Sequence, residues 1–507
     1  MSGRTPSKKR NFLSLEHHKL LQTLFLVLII AASIFLLYQY FAPLQKWVTT
    51  IPKTIRFPYG LDYGEGPLLD QSVRLTNFEN IYQADIETPP YTITNYPPGF
   101  PALQTPFVWL FGPQLWYGRL ISVISIVLTG LFISLIILKL TKSRIAAIFS
   151  GLTFLILPYP VYWSTMARVD SLALMFSVAG LYVLVADTEK RSHRLWAAIL
   201  LVASVFTKQS YGLVAPFTAF LFLIKEKPRK RAFEFAGWVA LMGLGLLLIL
   251  NIVTNGGFFF HVFTANVNPF HWDIVTHYKD EMINHFGLFF WLGGLYLLGG
   301  IWYPIRQKAW WLTAPYFLTA LLVSIAVGKE GSNVNYFYEL SAALALLVGS
   351  LIGLSGSKAN YRWVQLTMLI LLFFPITGAI HLTMDEYASR HDGRMLHEYG
   401  LIKLEKLVGN VEGNVLADEY MSLVVTAGKP LMYQPFEYKM LTYGDIWDQT
   451  NFIESIKNKE YDLILLYDPQ GWDSRNARWT PEQLATVEEN YRVHRHTAET
   501  SVYYPRP

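Results

Sequence analysis

The sequence has 507 residues, of which 52% are hydrophobic, 15% aromatic and only 16% charged. So little charge excludes an ordinary soluble protein of this length and predicts a membrane protein. A net charge of +5 would indicate nucleic-acid binding in a soluble protein, but here the basic residues lie in short connections between apolar segments, where they report topology. Because there is no cysteine, disulfides, thiol nucleophiles and thiolate metal sites are excluded.

The chain begins with a basic tail, residues 1–18, and an apolar segment follows over 20–42. A signal peptide has the same order, but its apolar core is about 7 to 15 residues long and ends in small residues. This segment is longer and ends in Tyr-Gln-Tyr-Phe-Ala-Pro. We therefore predict an uncleaved anchor that can cross about 30 Å of hydrocarbon.

Ten further apolar segments make a total of eleven predicted transmembrane helices, and the two at 194–208 and 210–225 are short and nearly continuous. The others lie at 116–139, 144–162, 168–187, 232–253, 285–305, 309–327, 334–354 and 361–382. With the N-terminus inside, the basic clusters of alternate loops all face the cytoplasm, as the positive-inside rule requires. These clusters are Lys139, Lys142 and Arg144; Lys190, Arg191 and Arg194; Lys225, Lys227, Arg229, Lys230 and Arg231; Arg306 and Lys308; and Lys358 and Arg362.

The loop between the first two predicted spans, residues 43–115, is then extracytoplasmic and contains an acidic stretch over Tyr59–Pro101. It carries Asp62, Glu65, Asp70, Glu79, Asp85 and Glu87 against only Arg74. A solvated connector would have this composition. Three other polar clusters predicted on the same side of the membrane favour a catalytic site instead.

Two of these clusters are short. Arg168 and Asp170 open the fourth span, and charged groups at membrane depth are costly unless they face a cavity or each other. An interfacial arginine that snorkels to a nearby acid is the alternative interpretation. Lys208 and Gln209 lie between two apolar segments, where a cation could hold the phosphate of a membrane lipid.

The third cluster, residues 328–339, contains Asn333, Asn335 and Tyr336. The segment before it carries four histidines, His261, His271, His277 and His285, but their spacing matches no zinc motif. We therefore predict no metal and no cofactor.

The composition changes after Leu382, and residues 383–507 predict a small extracytoplasmic α/β domain, because strand-like segments alternate with helix-like ones. The predicted strands include 414–419, 430–434 and 461–469, and Thr480 is a predicted N-cap. Asp418, Glu419 and Asp468 lie at the ends of predicted strands, where ligands often bind, although surface acids are the commoner interpretation.

Carboxylates on a long loop and cations at head-group depth suit the transfer of a sugar from a lipid-linked phosphate to a hydroxyl group. A carboxylate would remove the acceptor proton, and fixed cations would stabilise the phosphate that leaves. A nucleotide site is not needed, and the sequence has neither a P-loop nor a dinucleotide fingerprint.

The order of these motifs over about residues 15–385, with Tyr96-Pro-Pro-Gly-Phe-Pro closing the acidic loop, resembles the GT-C glycosyltransferases. The resemblance is to the protein O-mannosyltransferase and aminoarabinose transferase branch, which uses polyprenyl-phosphate sugars. It implies an inverting enzyme in a multi-pass cell membrane protein, with an unknown glycan, lipid or protein as acceptor. The tail resembles domains appended to some bacterial members, which implies a bacterial source.

The resemblance also implies site residues. The family's first outer loop has adjacent Asp and Glu, whereas this sequence has Asp62-Tyr-Gly-Glu65, so either Asp62 or Glu65 is the expected base. The family's second acidic position falls on Asp170. Lys208 and Arg168 are expected to contact the donor phosphate. Tyr96, Gln209, Asn333, Asn335 and Tyr336 are expected to line the pocket.

Two other classes of protein remain open. A transporter or flippase of lipid-linked sugars would need a path through the membrane, usually with repeated halves and ionisable residues near the midplane. The sequence shows no repeat, and its charges lie at the ends of the spans. A receptor or scaffold without catalytic activity would depend on the C-terminal domain.

Overall fold

A computed structural model describes residues 8–266, 268–302, 308–355 and 361–507. The predicted cytoplasmic tail is therefore described only from Lys8 onward. The end of the predicted span 285–305 and the predicted cytoplasmic residues Arg306 and Lys358 lie outside the described residues.

A helix lies at each of the eleven predicted spans. They are α1 (Lys8–Arg56), α4 (Trp116–Thr141), α5 (Arg144–Ile156) with α6 (Pro158–Trp163), α7 (Val169–Ala186), α8 (Arg191–Val205), α9 (Val214–Lys225), α10 (Lys230–Val253), α12 (Trp272–Trp302), α13 (Lys308–Ser324), α14 (Tyr338–Ile352) and α15 (Arg362–Leu382). Within the described ranges, eight helices are long and apolar enough to cross a membrane. The chain is therefore a multi-pass membrane protein.

The helices α5, α8 and α9 have only 13, 15 and 12 residues. A helix of 13 residues is roughly 20 Å long, which is shorter than the hydrocarbon core. The predicted span 144–162 is interrupted because Pro158 starts a new helix after an extended Leu157. A 3₁₀ turn over Gln209–Gly212 separates α8 from α9 and leaves Lys208 in an extended conformation before it.

The bundle is built around α14. In its most apolar window 94% of the residues are buried, whereas none of those of α10 are. Helix α10 is apolar but exposed on the surface of the bundle, so it is suited to contact with lipid. Helix α14 is surrounded by other helices and forms the centre of the bundle.

The acidic loop is folded rather than a solvated connector. Helix α1 continues to Arg56, well past the predicted end of the first span, and α2 (Glu65–Thr76) and α3 (Gly99–Phe111) follow, with the short α11 (Gly257–Phe259) packed near them. A Cβ atom on Gly66 would lie 2.5 Å from the backbone nitrogen of Ser422. Helix α2 therefore packs against the C-terminal domain at backbone distance, which only glycine allows here.

The C-terminal domain is the predicted small α/β domain. Its helices are α16 (Arg390–Met395), α17 (Glu398–Asn410), α18 (Met421–Thr426), α19 (Pro435–Tyr443), α20 (Thr450–Lys457), α21 (Ser474–Arg478) and α22 (Pro481–Asn490). Its strands, β1 (Asn414–Ala417), β2 (Tyr461–Tyr467), β3 (Tyr491–Thr497) and β4 (Thr500–Pro505), form one sheet in the order β1-β2-β4-β3. Strands β1 and β2 are parallel and the other pairs antiparallel. The predicted N-cap is confirmed, since Thr480 forms a capping box with Gln483.

The prediction of a strand over 430–434 is wrong. Prolines at 430 and 435 restrict the segment, and Pro435 begins α19. The segment forms a single parallel bridge between Tyr433 and Tyr91 of the acidic loop. The amide of Tyr91 donates to the carbonyl of Met432 at 2.8 Å, and the amide of Gln434 donates to the carbonyl of Tyr91 at 3.0 Å. The segment thus joins the C-terminal domain to the loop instead of to its own sheet.

Candidate active site

A cavity of about 640 Å³ lies where one end of the helical bundle meets the acidic loop and the C-terminal domain. The loop contributes Asp62, Tyr63, Gly64, Asn95 and Tyr96; the bundle end contributes Trp163, Arg168, Lys208, Gln209, Lys329, Asn333, Asn335 and Tyr336; the C-terminal domain contributes Gln434, Phe436, Glu437, Trp472 and Arg478. The wall combines aromatic and other apolar surface with side chains of both signs of charge.

The structure brings most of the predicted site residues to this one cavity. Those that line it are Asp62, Tyr96, Arg168, Lys208, Gln209, Asn333, Asn335 and Tyr336. Glu65 and Asp170, the two other acids expected to be catalytic, are fully buried and are not part of the cavity wall.

Asp62 presents a carboxylate to the cavity. Its Oδ2 atom lies 3.0 Å from Nη1 of Arg168 and accepts a hydrogen bond from the amide of Gly64 at 2.9 Å. Burial raises the pKa of Asp62 above its ordinary value, and the charge of Arg168 opposes that shift. A Cβ atom on Gly64 would lie 1.3 Å from Arg168 Nη1, so glycine is required for this ion pair to form.

Glu65 is held inside the protein by Arg119 of α4. The guanidinium donates to both carboxylate oxygens at 2.8 Å, and the amides of Leu61 and Ala167 each donate at 2.7 Å. Burial raises the pKa of Glu65, but Arg119 and these amides outweigh it and hold the pKa below its usual value. Both carboxylate oxygens of Glu65 accept hydrogen bonds inside the protein, and Glu65 does not line the cavity. Its contacts hold the acidic loop against α4.

Arg119 was missed by the sequence analysis. Besides Glu65 it binds the carbonyl oxygens of Thr54, Phe57 and Tyr59 at 2.5–2.6 Å, so it fixes the connection between α1 and α2. The available signal was an arginine inside an otherwise apolar predicted span, which is a costly placement without buried partners.

Asp170 lies beneath the cavity and positions several residues of its wall. It accepts hydrogen bonds from Lys208 at 2.5 Å, from Asn335 Nδ2 at 3.0 Å and from Trp163 Nε1 at 3.0 Å. The ammonium of Lys208 also lies 4.6 Å from the centre of the Tyr336 ring. The charge of Lys208 is thus already balanced by a buried carboxylate and an aromatic face.

Lys329 is a cavity cation of a different kind. It donates to the backbone and side-chain oxygens of Asn266, and among the described residues no carboxylate lies within ion-pair distance of it. Burial, followed by the nearby charge of Lys208, lowers its pKa to about 8. Lys329 belongs to the predicted outer cluster 328–339 but was not among the predicted site residues, because the lack of a neighbouring carboxylate is visible only in three dimensions.

The acids predicted at strand ends of the C-terminal domain do not line the cavity. Asp418 and Glu419 are buried, and Glu419 is bound by both Arg394 and Arg478. Asp468 is exposed and pairs with Arg475 at 3.1 Å. Arg478, which the acids hold in place, is the residue that reaches the cavity, with its guanidinium 4.6 Å from the Tyr63 ring.

The predicted outer histidines do not come together. The ring of His261 accepts from the amide of Thr94 at 2.9 Å and its Nε2 contacts the carbonyl of Gln83 at 2.7 Å, which makes it part of the packed interior. Burial lowers its pKa to about 4. Across the ranges that the structure covers, no three His, Cys, Asp or Glu side chains are grouped so that they could hold a metal ion.

The multi-pass helical bundle of this chain has the fold of solved GT-C glycosyltransferases. The resemblance predicted from the sequence is confirmed by two comparisons. The dolichyl-phosphate-mannose-protein mannosyltransferase family matches residues 95–254, which include Arg168, Asp170 and Lys208 but not Asp62. No curated protein sequence matches the chain.

Solved structures give the second comparison. ArnT from Cupriavidus metallidurans bound to undecaprenyl phosphate is 14% identical, with a TM-score of 0.59, and the match covers 95% of this chain and 98% of ArnT. The oligosaccharyltransferase AglB from Archaeoglobus fulgidus, in complex with an inhibitory peptide and a dolichol-phosphate, is 13% identical over 87% of this chain and 69% of AglB, with a TM-score of 0.51. The A. fulgidus oligosaccharyltransferase has also been solved with Zn and sulfate, at 12% identity over 92% of this chain and 71% of that one and a TM-score of 0.53.

Proposed function

We propose that the protein is a glycosyltransferase that moves a sugar from a polyprenyl-phosphate donor to a hydroxyl acceptor on the extracytoplasmic side, with inversion at the anomeric carbon. The observation that carries the proposal is the cavity at the bundle end, where the carboxylate of Asp62 and the cations Arg168, Lys208 and Lys329 share one wall. A base and a phosphate-binding surface are the two elements that this reaction requires.

Asp62 is the proposed general base. It accepts the proton of the acceptor hydroxyl while the hydroxyl oxygen forms a bond to the anomeric carbon. The bond from that carbon to the phosphate oxygen breaks, and polyprenyl phosphate leaves with the electron pair. Glu65, the alternative base in the sequence analysis, has both oxygens bound inside the protein. A single base and direct displacement give inversion, because no glycosyl-enzyme intermediate forms.

The donor phosphate is proposed to lie near the bundle end, because its lipid chain must remain in the membrane. Arg168 and Lys208 are already paired with Asp62 and Asp170, so their net contribution to an anion is reduced. Lys329 lacks such a carboxylate among the described residues and is the strongest candidate to balance the phosphate charge. These side chains suffice for the proposed step, which uses no metal ion.

Lys329→Gln should raise the donor KM about tenfold, as expected for the loss of one charge-assisted hydrogen bond, and should change kcat much less. Initial rates over a range of donor concentrations measure this. The control is Lys279→Gln, because Lys279 is exposed and pairs with its neighbour Asp280. A donor KM equal to that of the parent would remove Lys329 from the phosphate site.

Lys208→Ala should weaken use of the donor and also lower the melting temperature, because it leaves the buried Asp170 carboxylate without its cation. The two effects separate when Lys208→Arg, which keeps the charge, is measured beside it. Parental donor KM and parental melting temperature in Lys208→Ala together would contradict both roles.

The function itself is tested with purified protein in lipid nanodiscs, supplied with undecaprenyl phosphate that carries a radiolabelled sugar and with envelope extract as the source of acceptor. Mannose, glucose, galactose and aminoarabinose donors should be tried. Label should move into product and release undecaprenyl phosphate. A transporter reconstituted in vesicles would instead move the intact donor between leaflets, and that result without any cleavage would overturn the proposal.

A further inference from the structure

The C-terminal domain supplies a carboxylate of its own to the cavity, Glu437 on α19, which was not among the predicted site residues. Its Oε2 atom accepts from the hydroxyl of Tyr63 at 2.8 Å, and its Oε1 atom accepts from Nδ2 of Asn95 at 3.3 Å. Tyr63 and Asn95 belong to the acidic loop and also line the cavity. The carboxylate is therefore held at a fixed position in the wall by two residues of another part of the chain.

The hydrogen bonds from Tyr63 and Asn95 do not use all the acceptor positions of the Glu437 carboxylate. An ionised carboxylate has about four acceptor positions, and these two contacts leave acceptor positions that face the cavity. No cation pairs with Glu437 in the parts of the chain that the structure describes, unlike Asp62 and Glu65. Such a group repels a phosphate and attracts hydroxyl or ammonium donors of a ligand.

Two aromatic side chains of the C-terminal domain, Phe436 and Trp472, also line the cavity. Phe436 precedes Glu437 and packs against Gly331 of the bundle-end loop, and Trp472 lies beside Arg478, whose guanidinium is 4.9 Å from the indole ring. A few fixed polar groups among aromatic faces are the usual composition of a site that orients a small polar ligand. Trp472 is 48% exposed, so the part of its surface that Arg478 does not cover is available for contact.

The position of this wall relative to the cations decides which ligand it can meet. In the proposed function the lipid phosphate binds at the bundle end, with Lys208 and Lys329, so the group attached to the phosphate would extend towards the C-terminal wall of the same cavity. We propose that Glu437, held by Tyr63 and Asn95, recognises the sugar of the donor by accepting hydrogen bonds from its hydroxyl or amino groups. This inference rests on the proposed function and assigns the C-terminal domain a role in sugar specificity.

The test compares the binding of two lipids to the full-length protein in nanodiscs: undecaprenyl phosphate with and without a sugar. The sugars are mannose, glucose, galactose and aminoarabinose, and binding is followed by quenching of tryptophan fluorescence, since Trp163 and Trp472 line the cavity. The parent should bind at least one sugar-bearing lipid more tightly than the bare lipid. Glu437→Gln should reduce that advantage about tenfold and leave the affinity for the bare lipid unchanged.

Two variants separate recognition from a structural role. Tyr63→Phe removes one hydrogen bond that positions Glu437 and should reduce the sugar advantage partially. Glu489→Gln, at an exposed position of α22, should behave as the parent. If Glu437→Gln instead lowers the melting temperature and the affinity for both lipids equally, the residue only joins the domains and the inference is overturned.

The same binding measurements distinguish an error in this inference from an error in the proposed function. If the parent binds no undecaprenyl phosphate at all, the proposed function is wrong. If the parent binds it, but every sugar-bearing lipid binds no more tightly than the bare one, the donor site stands and sugar recognition by this wall is rejected. If the parent shows a sugar advantage that Glu437→Gln retains in full, recognition lies elsewhere in the cavity.

Discussion

Asp62→Asn should lower the rate of sugar transfer by about 10²- to 10⁴-fold, the usual contribution of a positioned general base, while the protein accumulates to the parental level. Asparagine keeps the size of the side chain and can still accept from the amide of Gly64, but it cannot take up the acceptor proton. Transfer of radiolabelled sugar at saturating donor measures the loss. Transfer at the parental rate would show that Asp62 is not the base.

The dependence of the rate on pH gives an independent check of this role. Because burial raises the pKa of Asp62, the rate should begin to fall, as the pH is lowered, at a higher pH than for an ordinary aspartate. Arg168 opposes the rise in pKa, so Arg168→Gln should move that acid limb to still higher pH. An acid limb that stays in place would mean that another group titrates.

Glu65→Gln should destabilise the protein by about 3–5 kcal/mol, because it leaves the buried Arg119 guanidinium without its counter-charge. We expect a strong loss of folded protein in the membrane and a lower melting temperature in detergent. The control is Glu79→Gln in the same loop, since the side chain of Glu79 is 51% exposed and its pair with Arg74 contributes little. A Glu65→Gln protein with parental abundance and melting temperature but without transfer would instead identify Glu65 as the base.

The bundle was predictable from sequence because most of its spans are long apolar segments. The site was predictable in part because charges at the ends of spans are costly without a cavity. Arg168, Asp170 and Lys208 were found on these grounds, whereas Asp62 was selected from the acidic loop and the family resemblance. The roles within the acidic pair were not predictable: Asp62 and Glu65 are three positions apart, and only the distance of each to Arg168 or Arg119 separates a cavity carboxylate from a buried one.

The contribution of the C-terminal domain was also beyond the sequence. Residues 430–434, which precede Glu437, pair with Tyr91 of the acidic loop and do not join the sheet of the C-terminal domain. This contact joins segments that are more than 300 positions apart and brings Glu437 to the cavity. No local periodicity encodes such a pairing. Lys329 was missed for a related reason, since its distinguishing property is the lack of a nearby carboxylate rather than any motif of its own.

The pairing of Tyr91 with Tyr433 has a consequence for biosynthesis. The wall that carries Gln434 and Arg478 is made from the last quarter of the chain, whereas Asp62 emerges from the ribosome with the first. The nascent protein therefore lacks a complete cavity while its helices insert one after another, and the cavity is complete only when the tail has folded and docked. Premature release of such a chain would leave an embedded bundle whose cavity lacks one wall.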